Sequence, residues 1–210
     1  MSESSPNAPA WRSFLEQQLA RQLRQKRRLV RSSPPTEWQE HLGSLLTLLN
    51  AARNTPALWP SALNLIETLD PWPRHQGHTD AWQSQLLFWI DAAQQQHQSA
   101  HSAELLTRLT DLYASIGKWE QVCHTAAQAL PLARRCRLAV IYGKVSALLA
   151  NGQAKRGDLT ASHQTLQQAR KQLRRMVKPN HQRTWLIANS YLDAYQANAL
   201  RLSGQLTEAT

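Results

Sequence analysis

The sequence predicts an all-α protein of about ten helices, arranged as stacked antiparallel hairpins. Composition is the first reason. Alanine, leucine, glutamine and arginine, which favour helices, are abundant in the 210 residues, whereas phenylalanine (2) and tyrosine (4) are few. The second reason is that apolar residues recur every three or four positions, and no segment shows the two-residue alternation of a strand. The third is an internal repeat in the C-terminal half.

The N-terminal third divides into a short lead and a group of helices. Residues 1–10 are rich in Ser, Pro and Asn, which predicts a disordered lead. Residues 11–70 predict three helices, which we interpret as an irregular N-terminal cap. The second of these ends near Arg53, and the third runs from Trp59 to Leu69. The first carries an apolar stripe at every fourth residue, formed by Trp11, Leu15, Leu19 and Leu23.

The clearest break in the chain runs from Asp70 to Gly77, where two prolines and a glycine predict a loop. Helix resumes near Thr79 and continues to about His97. The following helices are separated by very short joints. These joints are predicted at Gly117, around Arg135, at Gly157, at Lys178–Asn180 and at Gly204.

Three segments of the C-terminal half align on a glycine. In each, a helical segment precedes the glycine, and a polar and a large apolar residue follow it. Glycine adopts the left-handed conformation that ends a helix without a steric cost. The glycines are separated by 40 residues and then by 47. The aligned segments are Leu106–Trp119, Ser146–Leu159 and Asp193–Leu206.

This pattern resembles the tetratricopeptide repeat (TPR), a helix–turn–helix unit of about 34 residues in its common form. The resemblance covers residues 79–210, and the longer repeats are similar to those of bacterial signal-transduction ATPases and transcription regulators. Thr110 stands where the family usually has glycine or alanine. The resemblance implies a right-handed α-solenoid of stacked hairpins. The run from Gly204 to Ala209 resembles the start of another second helix, so we expect a truncated last repeat within a longer protein.

In tetratricopeptide arrays the first helix of each hairpin lines a concave groove that binds extended peptides or partner helices. Asparagine can hydrogen-bond a peptide backbone, and Lys or Arg can attract a carboxylate. We expect the groove to change from acidic to basic along the array; the alternative is an ordinary solvated polar surface. The positions that the resemblance assigns to the groove are Glu104, Thr107, Asp111, Lys144, Asn151, Lys155, Tyr191, Asn198 and Arg201.

The formal net charge of +10 belongs mainly to the C-terminal half. Lys and Arg outnumber acids by thirteen to three in residues 121–210, whereas acids dominate residues 36–120 by nine to four. A basic surface is predicted on one helix, and its alternative interpretations are a solvated face or a contact with nucleic acid. Its members are Arg170, Lys171, Arg174, Arg175 and Lys178.

No motif for chemistry accompanies these features. The sequence has no Gly-rich phosphate loop, no nucleophile elbow and no paired catalytic carboxylates. His97 and His101 have helical metal-ligand spacing, but no third ligand stands at a natural position. We therefore expect neither catalysis nor a metal or cofactor.

The two cysteines and the lack of an apolar run of about 20 residues favour a cytoplasmic protein outside the membrane. The expected function is a protein–protein interaction scaffold or sensor segment whose partner is a protein or peptide. The alternative is a nucleic-acid-associated regulatory module that uses the basic C-terminal half.

Overall fold

The computed structural model describes residues 8–32, 41–70, 78–177 and 181–202. These residues contain no strand, so the all-α prediction is confirmed. The tenth predicted helix falls after Gly204, outside the described residues. The nine described α-helices are α1 (Ala8–Ser32), α2 (Leu42–Arg53), α3 (Trp59–Leu69), α4 (Thr79–Gln95), α5 (Ser99–Ser115), α6 (Trp119–Arg135), α7 (Ala139–Lys155), α8 (Leu159–Met176) and α9 (Gln182–Leu202).

The chain divides into two compact units, residues 1–79 and 80–210. In the N-terminal unit α1 packs against both α2 and α3. The helix α1 begins at Ala8, so the last three residues of the predicted lead are helical, while residues 1–7 lie outside the described part. Pro9 fits the first turn because an N–H there has no partner within the helix. The fully buried side chains of this unit include Leu23, Leu45, Leu49, Leu65, Ile66 and Leu69.

The helices of the C-terminal unit follow a strict period. Five of them, α4 to α8, begin at residues 79, 99, 119, 139 and 159, which are 20 residues apart. The first four are each 17 residues long, so a joint of three residues separates each helix from the next. A hairpin of two helices therefore repeats every 40 residues. The 47-residue spacing arises because α9 is four residues longer than α5 and α7, the connection before it is two residues longer than the other joints, and α8 is one residue longer than α6.

The four joints share one backbone geometry. At the first glycine joint the N–H of Lys118 donates to the carbonyl of Tyr113 (2.9 Å), and the N–H of Gly117 donates to that of Ala114 (3.3 Å). This is the Schellman arrangement, which places one residue in the left-handed region. The equivalent bonds recur at the other three joints. The left-handed residues are His97 (φ 56°), Gly117 (φ 73°), Arg137 (φ 55°) and Gly157 (φ 89°).

Two of these left-handed positions hold glycine and two hold other residues. Introducing glycine at one of the latter should therefore stabilise the protein, whereas replacing one of the glycines should destabilise it. A left-handed conformation costs an L-residue about 1–2 kcal/mol. Arg137→Gly should therefore raise the free energy of unfolding by up to about 1 kcal/mol, once the greater freedom of glycine in the unfolded chain is included. Gly157→Ala should lower it by about 1 kcal/mol. Urea denaturation followed by circular dichroism measures both changes.

The control for this pair is Arg134→Gly, the same replacement at an exposed helical position three residues before Arg137. It should destabilise by about 1 kcal/mol because glycine is a poor helix former. If Arg137→Gly destabilised the protein as much as Arg134→Gly does, the left-handed joint would not carry the cost that we assign to it.

The hairpins of the C-terminal unit stack on one another. We name α5, α7 and α9 the A helices, and α6 and α8 the B helices. The helix α5 packs on α6, α7 packs on α8, and each A helix also contacts the next A helix along the chain. This is the arrangement of stacked antiparallel hairpins in an α-solenoid, as the sequence predicted. One apolar core joins α7, α8 and α9 through Ala139, Ala147, Ala150, Leu166, Ala169, Leu173, Ala188 and Leu192.

Among the described residues, no helix combines the length and the apolarity needed to cross a lipid bilayer.

Candidate binding face

The first cross-helix contact on the A helices is an ion pair between α5 and α7. The Lys144 Nζ lies 2.8 Å from Asp111 Oδ2, and the two side chains are 27% and 20% exposed. The sequence predicted that the face would change from acidic on one helix to basic on the next. The structure brings these opposite charges together, so they neutralise each other within a single pair.

The second contact is a chain of hydrogen bonds between α7 and α9. The Asn198 Nδ2 donates to Asn151 Oδ1 at 2.9 Å, and the Arg201 Nη2 donates to Asn198 Oδ1 at 3.0 Å. Asn151 is only 9% exposed, whereas Arg201 is exposed. The two amides therefore hold the guanidinium at the outer end of a chain of hydrogen bonds, where one of its five N–H groups is used by Asn198.

A close approach of two backbones makes this second contact possible. A Cβ built on Gly143 of α7 would lie only 2.5 Å from the carbonyl oxygen of Ala188 on α9 and 3.0 Å from its Cα. Glycine at this position lets the two A helices approach more closely than any larger residue would allow. The short asparagine side chains further along the helices can then meet directly.

The remaining predicted groove residues occupy other positions. Glu104 is half-buried on α5, two turns before Asp111. Thr107 is buried, and its hydroxyl donates to the Ala103 carbonyl at 2.7 Å because a helical threonine can bond the preceding turn. Tyr191 is half-buried and packs against the apolar core of α7, α8 and α9. Thr107 is therefore enclosed by its neighbours, whereas Tyr191 keeps part of its surface exposed.

Lys155 is the exposed last residue of α7. Its Nζ lies 6.0 Å from the ring centroid of Trp119, at the start of α6, within the range of a cation–π contact. The end of α7 lies beside the start of α6 because the two helices are antiparallel. The five groove residues linked across the A helices are Asp111, Lys144, Asn151, Asn198 and Arg201, and we name this set the polar belt.

The predicted basic surface of α8 is smaller than the sequence suggested. The Arg170 Nη1 donates to Gln196 Oε1 at 2.6 Å, and its Nη2 pairs with Asp193, so this residue ties α8 to α9. Its charge is therefore compensated. The side chains of Lys171, Arg174 and Arg175 are exposed. Lys178 lies outside the described residues.

The sequence analysis named every member of the polar belt but none of its pairings. The missed determinant is Gly143, whose role depends on the neighbouring helix. The sequence signal that indicates it is a glycine inside a predicted helix. Such a glycine lowers the stability of a helix by about 1 kcal/mol relative to alanine, so its presence suggests a packing requirement.

Comparison with known proteins places the fold among helical repeats. No protein-family model matches the chain, and no curated protein matches it. A crystal structure described as "Podosopora anserina putative kinesin light chain nearly identical TPR-like repeats" is similar. It has 18% sequence identity and a TM-score of 0.58 over 91% of this chain and 90% of that one. At this identity the likeness shows the fold alone. The chain therefore has the fold of a TPR-like helical repeat protein.

Proposed function

We propose that this chain is a protein–protein interaction scaffold that binds a peptide or a partner helix on the face of its A helices. The observation that carries the proposal is the polar belt, which spans all three A helices of the C-terminal unit. Stacked helical repeats present extended surfaces of this kind to their partners. We further propose that the chain is a sensor or docking segment of a larger multidomain protein, of the long-repeat type found in bacterial signal-transduction ATPases and regulators.

The chemistry of the polar belt suits a peptide. Asn198 carries an amide group that can bond a peptide backbone, and the exposed Arg201 can bond a carboxylate. The buried Asn151 holds Asn198 in place. Hydrogen bonds between the helices hold these side chains before a ligand arrives. Binding therefore costs less side-chain entropy than it would on a surface of independent residues.

Selection from a random dodecapeptide library tests the proposal. Peptides enriched on the wild-type chain should bind Arg201→Ala at least about tenfold more weakly, because a hydrogen bond to a charged group contributes about 1.5–3 kcal/mol. Asn198→Ala should also weaken binding, since it releases the Arg201 side chain. Isothermal titration calorimetry measures the affinities.

The matched control is Arg174→Ala, which removes an equally charged, exposed arginine from the B helix α8. Its affinity for the same peptides should stay within about twofold of wild type, a difference of roughly 0.4 kcal/mol. Peptides that bind Arg201→Ala and Asn198→Ala as tightly as wild type would place the binding surface elsewhere. An equal loss of peptide affinity in Arg174→Ala would mean that the net charge of the chain, and not the position of Arg201, determines binding. Circular dichroism checks that each variant is folded.

A second candidate function is a nucleic-acid-associated regulatory module that uses the basic C-terminal half. The exposed arginines in the last turns of α6 and α8 favour it.

A further inference from the structure

Both B helices carry a pair of arginines in the last turn. Arg134 and Arg135 stand at the end of α6, and Arg174 and Arg175 stand just before Met176 at the end of α8, at positions 40 residues apart. Because the hairpin also repeats every 40 residues, the two pairs occupy equivalent places in successive hairpins. All four side chains are exposed. Cations at the end of a helix interact favourably with its macrodipole, so the pairs are compatible with stable helix ends.

Contacts place the ends of the B helices beside the starts of the A helices. The Arg135 Nη2 donates to the hydroxyl of Ser99, the first residue of α5, at 2.7 Å. Met176, the last residue of α8, packs against the core that includes Ala139, the first residue of α7. These contacts define one edge of the stacked hairpins.

Arg134 lies next to the first turns of α7. It lines a small cavity with Tyr142, Leu130 and Pro131. Burial raises the pKa of the Tyr142 hydroxyl, while a hydrogen bond with Ser146 and the positive charge of Arg134 act in the opposite direction. The Arg134 guanidinium is therefore close enough to act on a residue of the neighbouring A helix.

Two more exposed arginines stand at the same edge. Arg137 occupies the joint between α6 and α7, and Arg183 lies in the first turn of α9. We name the whole set the basic edge. Its members are Arg134, Arg135, Arg137, Arg174, Arg175 and Arg183.

Acidic residues are scarce around the basic edge. Asp158 is the only acidic residue between Glu120 and Asp193. Asp158 caps the start of α8, where its carboxylate accepts from the N–H of Ala161 at 2.8 Å, a full helix length from the basic edge. Asp193 pairs with Arg170, and Asp91, near the end of α4, accepts from Gln95. The charge of the basic edge is therefore not balanced by acids of α6, α7 or α8.

We infer that the basic edge binds the phosphate backbone of a nucleic acid. Because α7 packs against both α6 and α8, the last turns of the two B helices lie on either side of its first turns and present their arginines along one edge. The planar guanidinium matches phosphate with two parallel hydrogen bonds, which favours arginine over lysine in such sites. A row of arginines, all positively charged, fits a polymer whose negative charges are regularly spaced.

The chemistry of the basic edge favours nucleic acid over a protein partner. Protein interfaces depend on buried aromatic or aliphatic anchors. The described last turns of α6 and α8 expose no large apolar side chain, and the exposed Leu186 and Ile187 belong to α9, three and four residues after Arg183. Contacts between arginine and phosphate carry no sequence information, so binding should be independent of base sequence. This inference uses residues outside the polar belt and does not depend on the proposed peptide binding.

The test is a salt titration with a labelled, random-sequence duplex DNA of about 20 base pairs, followed by fluorescence anisotropy. Each arginine–phosphate contact contributes about 0.9 to the slope of log K against log salt concentration. Arg174→Gln/Arg175→Gln should therefore reduce the slope by about 1.8 and weaken binding at least tenfold at about 0.1 M salt. Arg134→Gln/Arg135→Gln, on the other B helix, should have an effect of the same size.

The matched control is Lys118→Gln/Arg156→Gln. It removes the same charge from two exposed residues at the joints of the opposite edge. Its affinity should stay within about twofold of wild type, roughly 0.4 kcal/mol. An equal loss in this control, or no binding at about 0.05 M salt, would overturn the inference. So would tighter binding to polyglutamate or to phosphatidylserine vesicles than to DNA, because the partner would then be an acidic protein or a membrane surface.

Discussion

Replacing Gly143 with alanine is expected to lower the free energy of unfolding of the C-terminal unit by about 3 kcal/mol, at the upper end of the usual range for overpacking. The new Cβ would lie 2.5 Å from the Ala188 oxygen, 3.0 Å from its Cα and 3.1 Å from its carbonyl carbon. All three are backbone atoms, so only a displacement of α9 relieves the clash. Elsewhere in a helix the same change stabilises by up to about 1 kcal/mol, so even the sign of the effect tests the packing.

Two other helical glycines provide controls for this prediction. A Cβ at Gly152 would meet side-chain atoms of Val122 at 2.9 Å and Cys123 at 3.0 Å, and these can rotate, so Gly152→Ala should cost less. Gly43 has no atom within 4 Å of its built Cβ, and Gly43→Ala should leave stability unchanged or raise it. Hydrogen exchange of the α9 amides measures the effect locally. Unchanged protection of α9 in Gly143→Ala would contradict the close approach.

Leu192→Ala is expected to destabilise the C-terminal unit by about 3 kcal/mol, within the range of 2–5 kcal/mol for leucine truncations in cores. The Leu192 side chain is fully buried in the core that joins α7, α8 and α9. Its removal leaves a cavity under α9, in the core shared with α7 and α8. Loosening α9 would also displace Asn198 and Arg201, so peptide affinity should fall together with stability.

The control stands on the same helix. Leu186 is 54% exposed, and Leu186→Ala should change the free energy of unfolding by less than about 0.5 kcal/mol. Urea denaturation of both variants, with the slope of the transition compared to that of wild type, separates stability from a change in the unfolded state. Equal effects of the two substitutions would mean that α9 is not held by the core that we describe.

Sequence reasoning located the helices well because their ends carry local signals. Gly117 and Gly157 marked two joints, since glycine readily takes the left-handed conformation. The joints at His97 and Arg137 have the same hydrogen bonds without that signal. Their positions follow from the 20-residue period, which becomes clear only when all helix starts are compared. The helix α6 also continues through Pro131, a residue that commonly ends helices.

The candidate site was less predictable because pairings depend on neighbouring helices. The resemblance to the tetratricopeptide repeat assigned Asn151 and Asn198 to the same groove. Their direct hydrogen bond requires the distance between α7 and α9 that Gly143 sets. Likewise, nothing local to Arg170 indicates that Asp193 compensates its charge, and nothing near Lys155 indicates the ring of Trp119. Such pairs are formed by packing between helices.

Because the joints recur at a strict period, the C-terminal unit can become longer or shorter by whole hairpins. Joining Gly117 directly to Asp158 would delete 40 residues and recreate a joint with the same pattern, glycine followed by a polar residue and a large apolar one. Removing only 20 residues would instead put every later A helix in the place of a B helix, and every later B helix in the place of an A helix. The polar positions of the A helices would then lie on the face of the B helices. A gene encoding such an array can gain or lose whole hairpins without a new joint, whereas half-hairpin changes would scramble both surfaces.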